Sequence, residues 1–301
     1  MTYKLAYLGL PLGALALLRD GLDLRIVGIS RPDFPGMRRL RKLMAERGGL
    51  LLARPDLEAV SVRELLASTN AQLLVSWFWT RKIPAEVISL YHDSFGIHPS
   101  LLPRHRGPDP YFWTLANLDD QTGVTAHTLA EDYDTGSVLA QSSMRVPPEC
   151  DAWRLARLLD RPSLMLLREV AARFASGKAP TCIAQDEAKA TQAPVPSDDD
   201  CEILWDWPVD QVLARIRAAS PEPGAFTGFG DDTVVIRRAR RARSVPAVLN
   251  PGEIARTPEG IVIRAADGGI VVLAAKNEEQ DTVLAGESVR TVFPGIPVLG
   301  S

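Results

Sequence analysis

The sequence predicts an α/β chain in which an open, largely parallel sheet is followed by a small, separate β-barrel. Three observations carry that expectation. As far as Ser176, short apolar runs alternate with amphipathic segments of helix length, the pattern of βαβ units. A stretch rich in Ala, Thr, Pro, Ser and Asp, Ala188–Asp200, then interrupts the alternation. Beyond it, short β-rich runs are separated by Gly, Pro and Asp turns, as in a small barrel.

The first strand is expected at Lys4–Leu8 and ends at Gly9-Leu10-Pro11, a tight turn into a helix over Leu12–Arg19. Gly9-Leu10-Pro11-Leu12-Gly13 lacks the GxGxxG spacing, so no dinucleotide site is expected there. A second strand follows at Leu24–Ile29, and the basic run Arg38-Arg39-Leu40-Arg41-Lys42 reads as a loop after it. Further strands are expected at Leu73–Trp77, Ser94–His98, Val124–Leu129 and Val138–Val146. Helices fall at Val62–Ser68, Ala85–Tyr91, Tyr111–Leu118 and Trp153–Ser176. The last carries Leu and Ala on a helical period and stops at Gly177.

Pro194 and Pro196 favour extended backbone. The expected division is therefore a first domain over 1–188, a linker over 189–203 and a second domain over 204–301. The second opens with a helix at Trp205–Ala219, stopped by Pro221 and Pro223. Strands follow at Thr233–Arg237, Gly252–Ala255, Gly260–Ala265 and Ile270–Ala275.

With 301 residues, 46% hydrophobic and 24% charged, the chain has the composition of an ordinary globular protein with room for two cores. A net charge of −3 gives no overall attraction to nucleic acid or anionic membrane. Local clusters at Arg38–Lys42 and Arg237–Arg243 have the charge to contact phosphates. The 3 cysteines lack CxxC spacing, which points to a reducing compartment without a disulfide framework. None of the 4 His pairs with Cys or Glu at ligand spacing, so no metal is expected. Lys4 followed by Leu5–Leu18 imitates a signal-peptide core, but Gly9-Leu10-Pro11 interrupts it and a second strand follows at once. No run reaches the roughly 18 apolar residues of a membrane span. A cytoplasmic protein with no membrane partner is expected.

The chemistry concentrates in Gly96-Ile97-His98-Pro99-Ser100-Leu101-Leu102-Pro103, Arg104-His105-Arg106-Gly107 and, further on, Asp134-Thr135-Gly136. His98 falls at the C-terminal end of a predicted strand, where open α/β sheets place ligand sites. Pro99 and Pro103 bracket a stiff turn that fixes the direction of the imidazole. Asp134 closes an acidic loop, Glu131-Asp132-Tyr133-Asp134. Brought together, the two make a general acid–base pair, with the carboxylate expected to raise the pKa of His98 toward or above neutrality.

These segments resemble the folate-dependent formyltransferases, the methionyl-tRNA formyltransferase family and its relatives acting on sugar nucleotides and other amines. His98 to Arg104 with Arg106-Gly107 is similar to the family's catalytic loop. Thr122-Gly123-Val124-Thr125 with Asp134-Thr135-Gly136 is similar to its second site segment. Arg217-Ala218 with Pro221-Glu222-Pro223-Gly224-Ala225-Phe226 is similar to a helix end in its C-terminal domain. The resemblance implies a Rossmann-like formyltransferase domain, an OB-like C-terminal barrel, 10-formyl-tetrahydrofolate as donor and an amine as acceptor.

By that resemblance His98 and Asp134 are catalytic, and Gly96 stands where the family carries an Asn that helps to polarise the formyl oxygen. Ser76-Trp77-Phe78-Trp79-Thr80-Arg81-Lys82-Ile83-Pro84 corresponds to the strand end and loop that embrace the pterin. The cofactor would be bound by Phe78, Trp79, Lys82, Ile83, Val87 and Tyr133. The substrate side would comprise Gly9, Pro11, Gly96, Ser100, Arg106 and Trp77. Trp77 and Trp79 add bulk close to the space Gly96 leaves, either stacking on a substrate ring or filling the pocket. The leading expectation is formyl transfer to the amine or hydroxylamine of a small molecule, in specialised metabolism. The alternatives are a methionyl-tRNA formyltransferase, which the basic clusters favour, and a diverged relative that binds a ligand or runs other chemistry in the same pocket.

Overall fold

The computed structural model describes residues 3–278 and 282–296, so the outer limits of the two expected domains, residues 1 and 301, lie outside the described residues. The chain forms two compact units. The first takes residues up to 110 with 121–144 and 157–194. The second takes 111–120, 145–156 and the chain from 195 onward.

In the first unit β1 (Lys4–Gly9), β2 (Asp23–Ile29), β3 (Leu50–Ala53), β4 (Leu73–Trp77), β5 (Asp93–His98), β6 (Gln121–His127) and β7 (Val138–Arg145) share one sheet. Their order is β3-β2-β1-β4-β5-β6-β7. Neighbours from β3 to β5 run parallel, and β6 lies antiparallel to β5. The side chains of β1 beyond Lys4 and all those of β4 are buried, which is why both read as near-continuous apolar runs. The C-terminal ends of β1, β4 and β5 lie side by side, with Gly9 in register with Trp77 and Trp77 with Ile97. That edge is where an open α/β sheet offers a crevice.

The helices of the first part of the chain are α1 (Pro11–Arg19), α2 (Met37–Glu46), α3 (Val60–Ser68), α4 (Ala85–Ile88), α5 (Pro110–Ala116) and α6 (Ala152–Ala175). α1 starts at Pro11, a residue suited to the first helical position. α2 corrects the expectation of a loop: Met37, Leu40 and Met44 are buried on one side, while Arg38, Arg39, Arg41 and Lys42 face solvent.

The second unit contains α7 (Asp198–Cys201), α8 (Val209–Ala218) and an antiparallel sheet. Its strands are β8 (Ala225–Phe229), β9 (Asp232–Arg241), β10 (Ile254–Thr257), β11 (Gly260–Ala265), β12 (Gly268–Asn277) and β13 (Leu284–Ala285). The order is β10-β11-β12-β9-β8, with β13 on β12. α8 begins four residues later than expected because Pro208 caps it, and it buries Val209, Val212, Leu213 and Ile216. Within this unit the basic run of β9 is partly neutralised. Arg237 pairs with Glu222 at 3.0 Å, Arg240 with Glu259 at 2.7 Å and Arg241 with Asp210 at 2.6 Å.

Among the described residues no helix is long and apolar enough to cross a membrane, and no group of three or more His, Cys, Asp or Glu side chains is placed to hold a metal.

Candidate active site

β5 delivers His98 to the crevice as its last residue, 6% exposed. The ring is fixed by its backbone neighbour: Nε2 lies 2.7 Å from the His105 carbonyl. A carbonyl only accepts, so Nε2 carries the proton and Nδ1 is the nitrogen left for chemistry. Nδ1 faces Asp134 Oδ2 at 3.5 Å. The turn that holds His105 closes on its own hydrogen bonds, with Ser100 Oγ donating to Arg104 O at 2.6 Å and Thr125 Oγ1 donating to Ser100 O at 2.7 Å.

Asp134 sits in left-handed backbone at φ 58°, unusual for a residue with a side chain. Two features hold it there. Gln185 Nε2 donates to Asp134 O and Gly136 O, both at 2.7 Å. Gly136 must lack a side chain, since a Cβ there would lie 1.7 Å from Thr128 O. The Asp-Thr-Gly sequence thus builds a turn that presents the carboxylate. Gly107 N–H donates to Asp134 Oδ2 at 2.9 Å, tying the two site segments together.

A second imidazole completes the cluster. His127, the last residue of β6, points Nε2 at Asp134 Oδ1 at 3.4 Å and Nδ1 at Thr128 O at 2.9 Å. It lies directly opposite Gly96 in the antiparallel register. The space beside Gly96 is therefore not empty but lined by His127 and Leu129. A Cβ at Gly96 would meet Leu129 Cδ2 at 3.1 Å and His127 Nε2 at 3.6 Å.

Burial is the largest influence on His98 and pushes its pKa below the usual value; Asp134 and the His105 carbonyl act against it without prevailing. This reverses the expected upward shift. Burial also pushes Asp134 upward, but the two imidazoles and Gly107 N–H outweigh it and hold the carboxyl down to about 2. The two directions do not reinforce each other: His98 gives up its charge to burial, while Asp134 keeps its own through its donors.

The remaining expected residues separate into three groups. Arg106, 4% exposed, uses all its nitrogens on Gln185 and Glu187 at 2.8–3.0 Å, so its guanidinium braces the Asp134 turn rather than facing a substrate. Ser100 spends its hydroxyl on the loop, and Pro11 is buried at the start of α1. Trp77, 3% exposed, is enclosed: its Nε1 donates to Ser163 Oγ, and Phe78 packs edge-on at 4.8 Å. It offers no face for stacking.

On the other side, Ile83 and Val87 belong to a buried apolar cluster with Leu8, Leu57 and Tyr91, against which Trp79 and Leu129 pack. Trp79 Nε1 is buried without an acceptor, and the Arg81 guanidinium lies 4.7 Å from the centre of a Trp79 ring. Phe78 takes left-handed backbone at φ 53° and Lys82 is exposed. Tyr133, 59% exposed, stands in the loop before Asp134. Sequence reasoning missed His127, Leu129 and Gln185. The first two lay inside a predicted strand, but only the antiparallel register reveals what they face.

The profile of a protein family described as formyl transferase matches residues 41–170, and that of the formyl transferase C-terminal domain matches 197–291. A methionyl-tRNA formyltransferase of Synechococcus sp. (strain JA-3-3Ab) is 30% identical over 91% of this chain and 90% of its own length. That of Anaeromyxobacter sp. (strain K) is 31% identical over 91% of both. Among solved structures, HypX from Aquifex aeolicus in complex with tetrahydrofolic acid superposes with a TM-score of 0.64 at 19% identity. The match covers 99% of this chain but only 48% of HypX. The N-formyltransferase from Helicobacter canadensis with folinic acid and dTDP-3-aminofucose gives 0.68 at 14% identity, covering 90% of this chain and 99% of that one.

Proposed function

The chain belongs to the formyltransferase family and is an enzyme that transfers a formyl group, and from there we propose that it moves this group from 10-formyl-tetrahydrofolate to the amine of a small molecule. One observation carries the reading: a buried His98 whose Nε2–H is committed to His105 O and whose Nδ1 faces an ionised Asp134. Nδ1 can accept a proton from an attacking amine, and Asp134 stabilises the imidazolium that results.

The donor fits the residues present. Bound, it supplies a formyl carbon on a nitrogen leaving group. Trp79, Ile83, Val87 and Leu129 would hold its flat ring, and Trp79 Nε1–H is a buried donor for which a pterin brings an acceptor. The dTDP-3-aminofucose bound by the Helicobacter canadensis protein suggests amino sugars of nucleotides as acceptors to try first.

A second reading, formyl transfer to methionyl-tRNA, is favoured by the exposed cations of α2 and by relatives aligned over most of the chain. The ion pairs along β9 weigh against it, because paired arginines have less charge to offer phosphate. Incubating the enzyme with 10-formyl-tetrahydrofolate and a panel of small amines and methionyl-tRNA, with mass spectrometry, separates the two. A formylated small amine is expected. Faster formylation of the tRNA would install the second reading, and no product with no folate binding would overturn both.

A further inference from the structure

We propose that His127 supplies the hydrogen-bond donor that position 96 lacks, so that the reaction runs on two imidazoles sharing one carboxylate. The inference rests on the formyl-transfer reading above. Gly96 is a regular strand residue, absent from the positions with left-handed backbone, so backbone conformation does not demand a glycine. Space does. Its cross-strand partner is His127, and directly opposite residues in an antiparallel pair bring their Cβ atoms to about 5 Å. A Cβ at position 96 would stand 3.6 Å from His127 Nε2, in ordinary contact, so it is the atoms beyond a Cβ that would meet the imidazole. A larger side chain carrying its own donor would compete with that ring and with Leu129.

Position assigns different work to the two rings, His127 standing opposite Gly96 and His98 ending β5. His127 faces acceptors with both nitrogens, Thr128 O at 2.9 Å and the Asp134 carboxylate at 3.4 Å. Neither oxygen can donate, so a hydrogen on Nε2 beside the Nδ1–H given to Thr128 O is what a donor role requires of this ring. His98 instead commits Nε2–H to His105 O and keeps Nδ1 for a proton. Leu129 beside Gly96 brings no charge, and no charged group other than Asp134 and His98 faces His127 among the described contacts.

In the transfer, the amine nitrogen bonds to the formyl carbon while the carbonyl π pair moves onto oxygen. His127 Nε2–H stabilises that charge. His98 Nδ1 takes the proton the amine sheds; the oxygen pair then re-forms the carbonyl as the carbon–nitrogen bond to the donor breaks, and the released nitrogen, keeping that bond's pair, takes the proton from His98. No electron is gained or lost overall.

The test is a cycle of His127→Ala, Gly96→Asn and the double variant, run beside His127→Gln. Loss of one such donor typically lowers rate a hundred- to a thousand-fold, so His127→Ala is expected to lose about that in kcat with little change in donor KM. His127→Gln, which keeps an N–H, should retain more. Gly96→Asn alone should lose activity, whereas in the His127→Ala background it should recover at least about tenfold, because the amide then has room. A readout free of turnover is 15N NMR of the imidazoles in the folate-free protein: His127 Nε2 should carry a hydrogen and His98 Nδ1 none. A His127 with no hydrogen on Nε2 overturns the proposal even if no variant folds. So does an active wild type whose His127→Ala variant keeps kcat within about threefold. An inactive wild type removes the formyl-transfer reading and this role with it.

Discussion

The end of β5 and the segment beyond β4 lie in one unit and treat their polar atoms in opposite ways. At the first, every ring nitrogen of His98 and His127 faces an oxygen, and Asp134 receives Gly107 N–H and faces both rings. At the second, Trp79 Nε1 and Tyr91 Oη are buried without hydrogen-bond partners. An unmet buried donor costs roughly 1–3 kcal/mol. The difference teaches where each region's energy goes. The polar cluster is organised for moving protons before anything binds, whereas the apolar cluster gains most from a ligand that brings acceptors.

The largest way to break that contrast is Asp134→Asn. Positioned acid–base groups are worth roughly 10²–10⁴ in rate, and a loss of kcat in that range is expected. The fold should hold, because the amide oxygen can still accept Gly107 N–H. Stopped assays together with a melting curve check both halves. A loss below tenfold would mean the shared carboxylate is not central. The wild-type carboxylate also has a signature in acid. Its folded pKa, about 2, lies below the unfolded value of 3.8. The stability it contributes is therefore complete above 3.8 and is lost as pH falls through about 2.

The pH–rate profile sharpens the same point. Burial lowers the pKa of His98 while Asp134 opposes, and His127 and His105 add to the lowering. The acid limb of kcat/KM should therefore fall below the ordinary histidine value of about 6.5, keeping the base ready at neutral pH. For folding, the sign is that of a group depressed in the native state: the unfolded chain binds the proton more readily, so this group weakens the fold as pH drops below about 6.5. A limb above that value would show that the carboxylate, not burial, dominates.

The strands of the first unit were legible because buried parallel strands are plain apolar runs, and the His98 and Asp134 turns because Pro and Gly mark them. α2 was hidden by charge: four cations between Met37 and Met44 masked an apolar stripe at 37, 40 and 44. Arg106 looked like a substrate ligand because its partners, Gln185 and Glu187, lie 79 and 81 residues away. The side chains beside Gly96 were hidden for the same kind of reason. His127 ends β6 and Leu129 follows it, and no local pattern announces an antiparallel register.

Gln185 tests how much of the polar cluster depends on its support. Left-handed backbone at a residue with a side chain is strained by about 1–3 kcal/mol, and Gln185 bonds two carbonyls of the Asp134 turn. Gln185→Leu should lower kcat about tenfold and the melting temperature by a few degrees, leaving donor KM near its original value. An intact kcat would show that Gly136 and Gly107 suffice to hold the turn.

The smallest expected effect falls on the apolar side, and its two signs are what make it useful. Trp79→Phe keeps a flat ring under Arg81 and removes only the N–H and part of the ring area. If that N–H serves the ligand, affinity for a folate analogue drops by one neutral hydrogen bond, about 0.5–1.5 kcal/mol or roughly two- to tenfold. In the folate-free protein the same change deletes an unmet buried donor, so the melting temperature should hold or rise despite the smaller ring. Calorimetric titration and a melting curve on one variant read both signs. Weaker binding with equal or greater stability fits a donor reserved for a ligand. A fall in stability with unchanged affinity would make the indole a packing element, and the polar cluster would then have to account for donor binding without it.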